Sequence, residues 1–310
     1  MSPLVASEAV AATLTLKQRL WNPEARLAYA LLAPTILFLA FFMFYPIIYV
    51  FVMSLYRTNQ LSELTKFIGL KNFVDRLTDH EFWMAALRSV IWTASGVGVK
   101  FLAGMIIAVL LNVRYRGRKT ARLLFIIPWA SSVPISTLLW QWVYHPEFGL
   151  LNHTLKVTGL WTNPPAWLGY PTSAFIACLW VDIWIGIPFF ALVFLAGMQA
   201  IPQELYESAH MDGAGGWRGY FSITLPGLRE LILISTLLSA IWTFNDFNVI
   251  FILTRAGPAL STNILITSVY MNAFIDLRFD YAAVQAVVTF VVLTIVSVIY
   301  AQFYFRRERD

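Results

Sequence analysis

The sequence predicts an all-α integral membrane protein with six transmembrane helices. Of its 310 residues, 59% are hydrophobic and only 13% are charged, whereas a typical soluble domain is about a quarter charged. A helix that crosses a bilayer needs about 20 mostly apolar residues. Six runs of that kind occur, at Leu27–Tyr56, Met84–Val113, Leu123–Tyr144, Thr172–Ala200, Leu228–Leu253 and Ala282–Tyr304.

Two regions follow from these runs: a cytoplasmic N-terminal segment at 1–26 and a transmembrane domain at 27–310. Prolines interrupt three of the runs, at Pro34, Pro46, Pro128, Pro134 and Pro188. A membrane tolerates such prolines where neighbouring helices or water satisfy the freed carbonyl groups. We therefore expect kinked helices, either around a central path or in a static bundle.

Basic residues at the ends of the spans predict the orientation. One cluster separates the second and third spans, at Arg114, Arg116, Arg118, Lys119 and Arg122. Another follows the last span, at Arg306, Arg307 and Arg309. The positive-inside rule places both clusters, and with six spans both termini, in the cytoplasm. The predicted location is the inner (plasma) membrane. Because the basic residues sit at span ends, the net charge of +5 does not indicate nucleic acid binding.

Catalytic and metal-binding patterns are absent from the sequence. Cys178 is the only cysteine, and the four histidines do not stand at metal-ligand spacing. No nucleophile motif and no phosphate-binding glycine loop occurs. We therefore predict no catalytic residues, no metal site and no cofactor bound by this chain, and we do not expect an enzyme.

The cytoplasmic segment 202–226 has an unusual composition between two apolar spans. "PQELYESAHM" predicts a short helix, with Pro202 in its first turn and Glu204 and Glu207 near its N-terminal dipole end. "DGAGG" then breaks that helix, because glycine adopts positive φ angles. "WRGYFSITLP" starts a new helix. A surface that presses into a partner explains this pattern better than a solvated loop, although a structural loop remains an alternative.

This segment resembles the EAA loop of permease subunits in binding-protein-dependent ABC importers, whose pattern is E-A-A, a glycine, then I-x-L-P. The matching residues are Glu207, Ser208, Ala209, Gly213, Ile223, Leu225 and Pro226, with serine replacing one alanine. The flanking stretches 127–152 and 244–274 also resemble permeases of the carbohydrate (MalF/UgpA-like) type. The resemblance extends over nearly the whole chain from Leu27, and it implies a type I ABC importer permease fold.

The resemblance implies a division of labour between subunits. This chain would pair with a second permease, usually a different chain, to form the path for a sugar or related polyol. An extracytoplasmic solute-binding protein would deliver the substrate, and two ATPase subunits would use ATP and magnesium. The EAA loop would be the coupling helix that docks on the ATPase, through Glu207, Ser208, Ala209, Met211, Asp212 and Gly213. Glu207 would meet a basic group, and Gly213 would make the turn.

Polar groups inside the apolar spans are the candidates for the substrate path, because burying a charge in lipid is costly. Asp182 and Asp246 lie well inside spans, and Lys100 is a possible partner charge. Helical spacing predicts that Trp242, Asn245, Asp246 and Val249 share one face, which suits a sugar. Further candidates are Trp180 and Trp184, on a face that Asp182 does not share, and, more weakly, Gln285 and Gln141.

Alternatives to this interpretation remain open. The two aspartates could equally be structural hydrogen-bond or ion-pair partners, and the partner permease alone could bind the substrate. A second function is an ion-coupled secondary transporter that uses Asp246 and Asp182, although it leaves the glycine-hinged loop unexplained. A third is a membrane-embedded enzyme, which the missing acid–base and metal clusters disfavour.

Overall fold

A computed structural model of the chain describes residues 23–113 and 115–306. Most of the predicted cytoplasmic segment 1–26 lies outside the described residues, as do Arg114, Arg307 and Arg309. The described part contains fifteen α-helices, three π-helical turns and one two-stranded sheet. The first described helix begins at Pro23 and runs past residue 27. The domain boundary predicted at residue 27 stays a prediction.

The helices and strands are α1 (Pro23–Leu39), α2 (Tyr45–Ser54), β1 (Tyr56–Thr58), β2 (Leu64–Phe67), α3 (Lys71–Leu77), α4 (His80–Asn112), α5 (Arg118–Ala130), α6 (Val133–Val143), α7 (Leu150–Val157), α8 (Pro171–Ala200), α9 (Gln203–Met211), α10 (Gly216–Gly219), α11 (Leu225–Gly227), α12 (Arg229–Phe244), α13 (Asn248–Thr254), α14 (Leu265–Tyr270) and α15 (Phe279–Arg306). The π-helical turns are Ala40–Phe44, Tyr220–Thr224 and Met271–Ile275.

Five helical segments of the described chain are long and apolar enough to cross a membrane, at Ala25–Ser54, His80–Asn112, Pro171–Ala200, Arg229–Thr254 and Phe279–Gln302. The remaining predicted span is the pair α5 and α6, which meet at 96°. The predicted α-helical membrane fold is therefore confirmed, with six spans when this bent pair is taken as one and with a single β-hairpin that was not predicted. The expectation that residues 123–144 form one kinked helix is wrong, because this span is broken.

The break between α5 and α6 has a local cause. Ser131 and Ser132 adopt extended backbone angles at the junction, and Pro134 in the first turn of α6 has no N–H to continue an α-helical hydrogen-bond ladder. The Ser131 hydroxyl donates to the Pro128 carbonyl at 2.9 Å and also contacts the Ser136 hydroxyl. Serine side chains thus satisfy polar groups that the bend leaves without helical partners.

Proline also explains two of the three π-helical turns in the described residues. Ala40–Phe44 ends two residues before Pro46, and Tyr220–Thr224 ends two residues before Pro226. Proline cannot donate to the carbonyl one turn earlier, and a locally wider turn accommodates the missing bond. The third turn, Met271–Ile275, has no proline near it.

The centre of the fold is the parallel pair α4 and α8. Trp92 contacts Phe175 edge to face in the N-terminal halves of the two helices, and Phe101 contacts Phe190 and Phe194 further along. Two buried apolar clusters lie along this pair, one around Trp92 and one around Phe194. The buried charges of the pair are Lys100 on α4 and Asp182 on α8.

The segment 57–83, between the first and second spans, contains regular structure. Strands β1 and β2 form an antiparallel hairpin in which Tyr56 pairs with Phe67. The Asn72 amide on α3 donates to the carbonyls of Ser54 and Tyr56 at 3.1 and 2.9 Å. Helix α3 is thereby attached to the end of the first span.

Candidate substrate path and coupling loop

A buried ion pair joins three spans in the middle of the bundle. The ammonium of Lys100 on α4 donates to Asp182 Oδ1 on α8 at 2.7 Å and lies 2.6 Å from Oδ2. It also donates to the hydroxyl of Thr243 on α12 at 2.8 Å. All three side chains are buried. The sequence proposed Lys100 only as a possible partner charge, and the structure identifies its partner as Asp182.

Two glycines make room for this ion pair. A Cβ at Gly186 would lie 2.6 Å from Lys100 Cε, and a Cβ at Gly96 would lie 3.0 Å from Asp182 Oδ2. Each glycine stands four residues from the charge on its own helix, Gly96 before Lys100 and Gly186 after Asp182. That spacing, one helical turn, is a signal in the sequence that points to a close approach at each charge.

The ion pair lies at the wall of a cavity of about 260 Å³. An aromatic row forms another part of the wall: the ring centroids of Trp129 and Phe189 lie 6.4 Å apart, and those of Phe189 and Trp242 lie 5.1 Å apart. The complete lining is Lys100, Trp129, Val133, Asp182, Ile185, Gly186, Phe189, Ser239, Trp242, Thr243 and Asp246. Of the predicted path residues, Trp242, Asp246 and Asp182 therefore meet here.

Asp246 lies where the fifth span is interrupted. Helix α12 ends at Phe244 and α13 begins at Asn248. Asp246 Oδ1 accepts hydrogen bonds from the backbone N–H groups of Asn248 and Val249, at 3.1 and 3.4 Å. The predicted continuous helical face over 242–249 is therefore wrong, because the helix breaks at the carboxylate that caps its second part. Asp246 still reaches the cavity.

Other predicted path residues lie outside the cavity. Trp180 is half exposed on α8, while Trp184 packs edge to face on Trp140 at 5.5 Å. Asn245 is exposed and donates to the Ile241 carbonyl at 2.8 Å. Gln141 is exposed and lies 3.4 Å from the Ile252 carbonyl. None of these four belongs to the cavity wall.

Two residues of the aromatic row were missed by sequence reasoning. Trp129 and Phe189 each follow a proline, and no charged residue adjoins either of them in the sequence. The prolines at 128 and 188 are the signal that could have drawn attention to them, since interrupted helices commonly line transport paths.

Gln285 has a different place from the one proposed. Its side chain is fully buried, and its Oε1 accepts from Arg76 Nη2 at 3.1 Å. Its amide donates to the Leu265 carbonyl at 3.2 Å, and Arg76 also pairs with Asp79 at 2.5 Å. Burial lowers the pKa of the Arg76 guanidinium, and Asp79 acts in the opposite direction. Gln285 thus belongs to a polar network with Arg76, in the segment between the first and second spans, and is removed from the substrate path.

The segment 202–226 has the predicted helix–turn–helix form. Helix α9 covers Gln203–Met211, with Pro202 just before it, and the chain turns at Gly213 with φ +77°. The N–H of Gly213 donates to the His210 carbonyl at 3.0 Å, and that of Ala214 to the Ala209 carbonyl at 2.9 Å. These bonds close the end of α9 on a left-handed residue, which is the usual role of glycine there.

The predicted coupling residues present an exposed face. The Met211 side chain is 87% exposed, and Glu207, Ser208 and Asp212 are exposed as well. Glu207 accepts from the Gln203 amide at 2.9 Å, one turn earlier on α9. Ala209 is half buried against the turn. An exposed methionine next to carboxylates is a surface suited to a protein partner.

Known proteins are similar to the chain over most of its length. A probable ABC transporter permease protein of Brucella suis biovar 1 (strain 1330) is 32% identical over 92% of this chain and 98% of its own. The trehalose/maltose transport system permease protein MalF of Thermococcus litoralis is 34% identical over 94% of this chain and 99% of its own. These relatives carry permease names, and they give no support to an ion-coupled transporter or an enzyme.

The fold has a solved counterpart. The structure of a bacterial ABC transporter involved in the import of the acidic polysaccharide alginate contains a chain with a TM-score of 0.81 and 24% identity, over 93% of this chain and 99% of that one. A family sequence model described as "binding-protein-dependent transport system inner membrane component" matches residues 100–310. The chain is a member of that family, and hence a multi-pass inner-membrane permease subunit of an ABC importer.

Proposed function

We propose that this permease subunit forms, with a second permease, the path for a sugar or related polyol. The observation that carries the proposal is the central cavity, where an aromatic row faces carboxylate and hydroxyl groups. Sugars present apolar C–H faces and many hydroxyl groups, and ligand sites of this kind combine apolar walls with a few placed polar groups. The name of the Thermococcus litoralis relative points to the same class of substrate.

The position of the cavity fits a substrate path. It lies among α4, α5, α6, α8 and α12, next to the broken span and the interruption at Asp246. Transporter binding sites are characteristically built at such interrupted helices, because irregular backbone is tolerated only where it lines protein or water. Trp242 remains 53% exposed, so the cavity is open on a side that a second subunit would complete.

The partners are part of the proposal. The family description includes a binding protein, and we assign it to the extracytoplasmic face. Two ATPase subunits would hold ATP and magnesium, and this chain itself would bind no cofactor. With six spans, both termini lie in the cytoplasm, on the side of segment 202–226. The exposed face of α9, with Glu207 and Met211, supports docking of an ATPase there.

A copurification experiment tests the assembly. The tagged chain is isolated from native membranes in mild detergent, and copurifying chains are identified by mass spectrometry. Gly213→Pro is expected to lose the ATPase, because proline holds φ near −65° and lacks the N–H that Gly213 donates to His210. Gly215→Ala is the matched control, since Gly215 has φ −66° and open space at its Cβ position.

The outcomes separate the parts of the proposal. An ATPase, a second permease and a binding protein should accompany the wild type and the Gly215→Ala variant. Gly213→Pro should keep the second permease, which shows that the bundle still folds. The ligand released from the copurified binding protein identifies the substrate class by mass spectrometry. An amino acid or a metal ion in place of a sugar or polyol contradicts the substrate assignment.

A further inference from the structure

We propose that Asp246 and the Lys100–Asp182 pair make the central cavity select against anionic substrates, so that it admits neutral or amino sugars. The inference rests on the proposed function, because it takes the cavity as the substrate path. The inference goes further in two ways: it specifies the charge of the substrate, and it assigns Asp246 a role in specificity.

The single cation of the cavity wall is already neutralised. Among the lining residues that the structure describes, Lys100 is the one base, and its ammonium is held by Asp182 Oδ1 at 2.7 Å and by the Thr243 hydroxyl at 2.8 Å. The close approach of Gly186 and Gly96 fixes both side chains in this arrangement. An anionic group that entered the cavity would have to displace a buried carboxylate to reach the ammonium.

Asp246 supplies a second carboxylate without a second cation. Within the described residues, no lysine, arginine or histidine forms a salt bridge with Asp246. Its Oδ1 accepts two backbone N–H bonds at the start of α13, which anchors the group at the cavity wall. The lining as a whole therefore holds one basic and two acidic side chains.

The remaining lining residues have no ionisable side chains, so they do not change the excess of acidic over basic groups. Ser239 and Thr243 supply hydroxyls, the three aromatic rings supply apolar faces, and the other side chains are aliphatic. Hydroxyl donors on a substrate find carboxylate acceptors here, and an ammonium finds the partner that Asp246 offers. A carboxylate or sulfonate on the substrate meets excess negative charge inside a low-dielectric bundle. The similarity to the importer of acidic alginate is one of fold, so its substrate charge does not carry over.

Cysteine chemistry measures the sign of this charge directly. Cys178 is the only cysteine of this chain and is fully buried, so the mass of this subunit after labelling reports one introduced thiol. Trp242→Cys, in a Cys178→Ala background, places the thiol at the cavity wall. Leu160→Cys is the reference at an exposed outer site. Methanethiosulfonate reagents with a trimethylammonium, a neutral methyl or a sulfonate group are then compared in the purified permease complex.

The expected result is a cation-to-anion rate ratio at Trp242→Cys about tenfold or more above that at Leu160→Cys, the range by which a charged cleft concentrates counter-ions. Asp246→Asn keeps the capping oxygen and removes the charge, and it should bring the ratio close to the reference. Equal ratios at the two thiols overturn the inference, as does a ratio that Asp246→Asn leaves unchanged. A thiol at 242 that resists even the neutral reagent also overturns it, because the cavity then admits no solute.

Failure of this inference is distinguishable from failure of the proposed function. An acidic sugar released from the copurified binding protein would contradict the charge selection and leave the sugar assignment intact. A non-sugar ligand would remove the sugar assignment, whatever the rate ratio. Two results are expected together. The copurified binding protein releases a neutral or amino sugar, and the cation-to-anion rate ratio at Trp242→Cys falls when Asp246 is replaced by asparagine.

Discussion

The ammonium of Lys100 joins three helices at the centre of the bundle. It bonds side chains from α8 and α12, 82 and 143 positions away in the sequence. The indole N–H of Trp92 also reaches α12, at the Thr243 carbonyl at 3.0 Å. A buried pair of this kind is weak evidence for extra stability, but removing one partner is costly because the other charge stays buried.

Asp182→Ala should therefore destabilise the permease strongly, by about 3–5 kcal/mol. The reason is that Lys100 loses its carboxylate partner inside the membrane. Thermal stability of the detergent-purified subunit measures the effect, with the exposed Asp276→Ala as the control. The double variant Lys100→Met/Asp182→Ala should recover much of the loss. A double variant as unstable as the sum of the singles would contradict the pairing.

Gly213 is a residue whose conformation the sequence indicates directly. The EAA-like pattern and the glycine run predicted a turn after Met211, and the structure has that turn with a left-handed Gly213. The requirement is local, because only the backbone angle of one residue decides it. Asp182 and Asp246 are the opposite case. The sequence marked them as unusual, but distant segments supply Lys100, the partner of Asp182, and the cavity wall that Asp246 joins.

At the scale of elements, close contact between α4 and α8 depends on a glycine. A Cβ at Gly104 would lie 2.4 Å from Phe190 Cβ and 3.1 Å from the backbone nitrogen of Ala191. A Cβ and a backbone nitrogen are fixed by the main chain of α8, so they cannot move aside as the end of a flexible side chain can. Gly98, on the same helix, has nothing within 4 Å of its Cβ position.

Gly104→Ala is accordingly expected to cost about 1–3 kcal/mol by overpacking. Gly98→Ala should be neutral or slightly stabilising, since alanine favours a helix by about 1 kcal/mol over glycine. Detergent thermal denaturation of the two variants, side by side with wild type, gives the comparison. Equal stabilities for the two alanines would mean that α4 and α8 do not approach as closely as described.

The broken third span illustrates the limit of reading an element from composition. Its apolar length predicted one crossing helix, and two prolines predicted a kink. Neither feature specifies a 96° bend at Ser131 and Ser132. The bend depends on hydroxyl bonds to Pro128 and Ser136 and on packing of α6 against α13, none of which the pattern of apolar residues encodes.

At the scale of the whole molecule, Arg76 connects the loop after the first span to the last span. Its guanidinium is buried and bonds Gln285 and Ser268, which lie 209 and 192 positions further along the chain. The rings of Phe82 and Tyr281 lie near the same guanidinium, with their centroids 5.8 and 6.0 Å from Arg76 Cζ. The loop that follows the first span is thus attached to the helix that ends the bundle.

Gln285→Leu is expected to loosen that attachment, because Arg76 then loses a buried acceptor. Trypsin added to the purified permease should cut the segment 57–71 several-fold faster than in wild type, while cuts in the segment 202–226 keep their rate. Gln285→Glu retains an acceptor for Arg76 and should stay near wild type. Unchanged cleavage in Gln285→Leu would show that the network does not hold the loop.

The sequence by itself determined the class, the number of spans and the glycine turn at residue 213 of this protein. Lipid demands long apolar helices, so composition alone reveals their number and nearly their bounds. A left-handed turn demands glycine, so a short motif reveals it. Both requirements concern residues close together in the chain, so they can be recognised in the sequence without knowledge of the tertiary structure.

Only the tertiary structure decided which polar groups meet. It joined Lys100 to Asp182, brought Trp129 and Phe189 beside Trp242, and placed Gln285 in the Arg76 network instead of the cavity. Spacing along a helix tells which residues share a face, but not which neighbour that face contacts. Where the helix itself breaks, as at Asp246, even the shared face is lost. The contacts follow from the packing of whole helices, which depends on residues far apart in the chain.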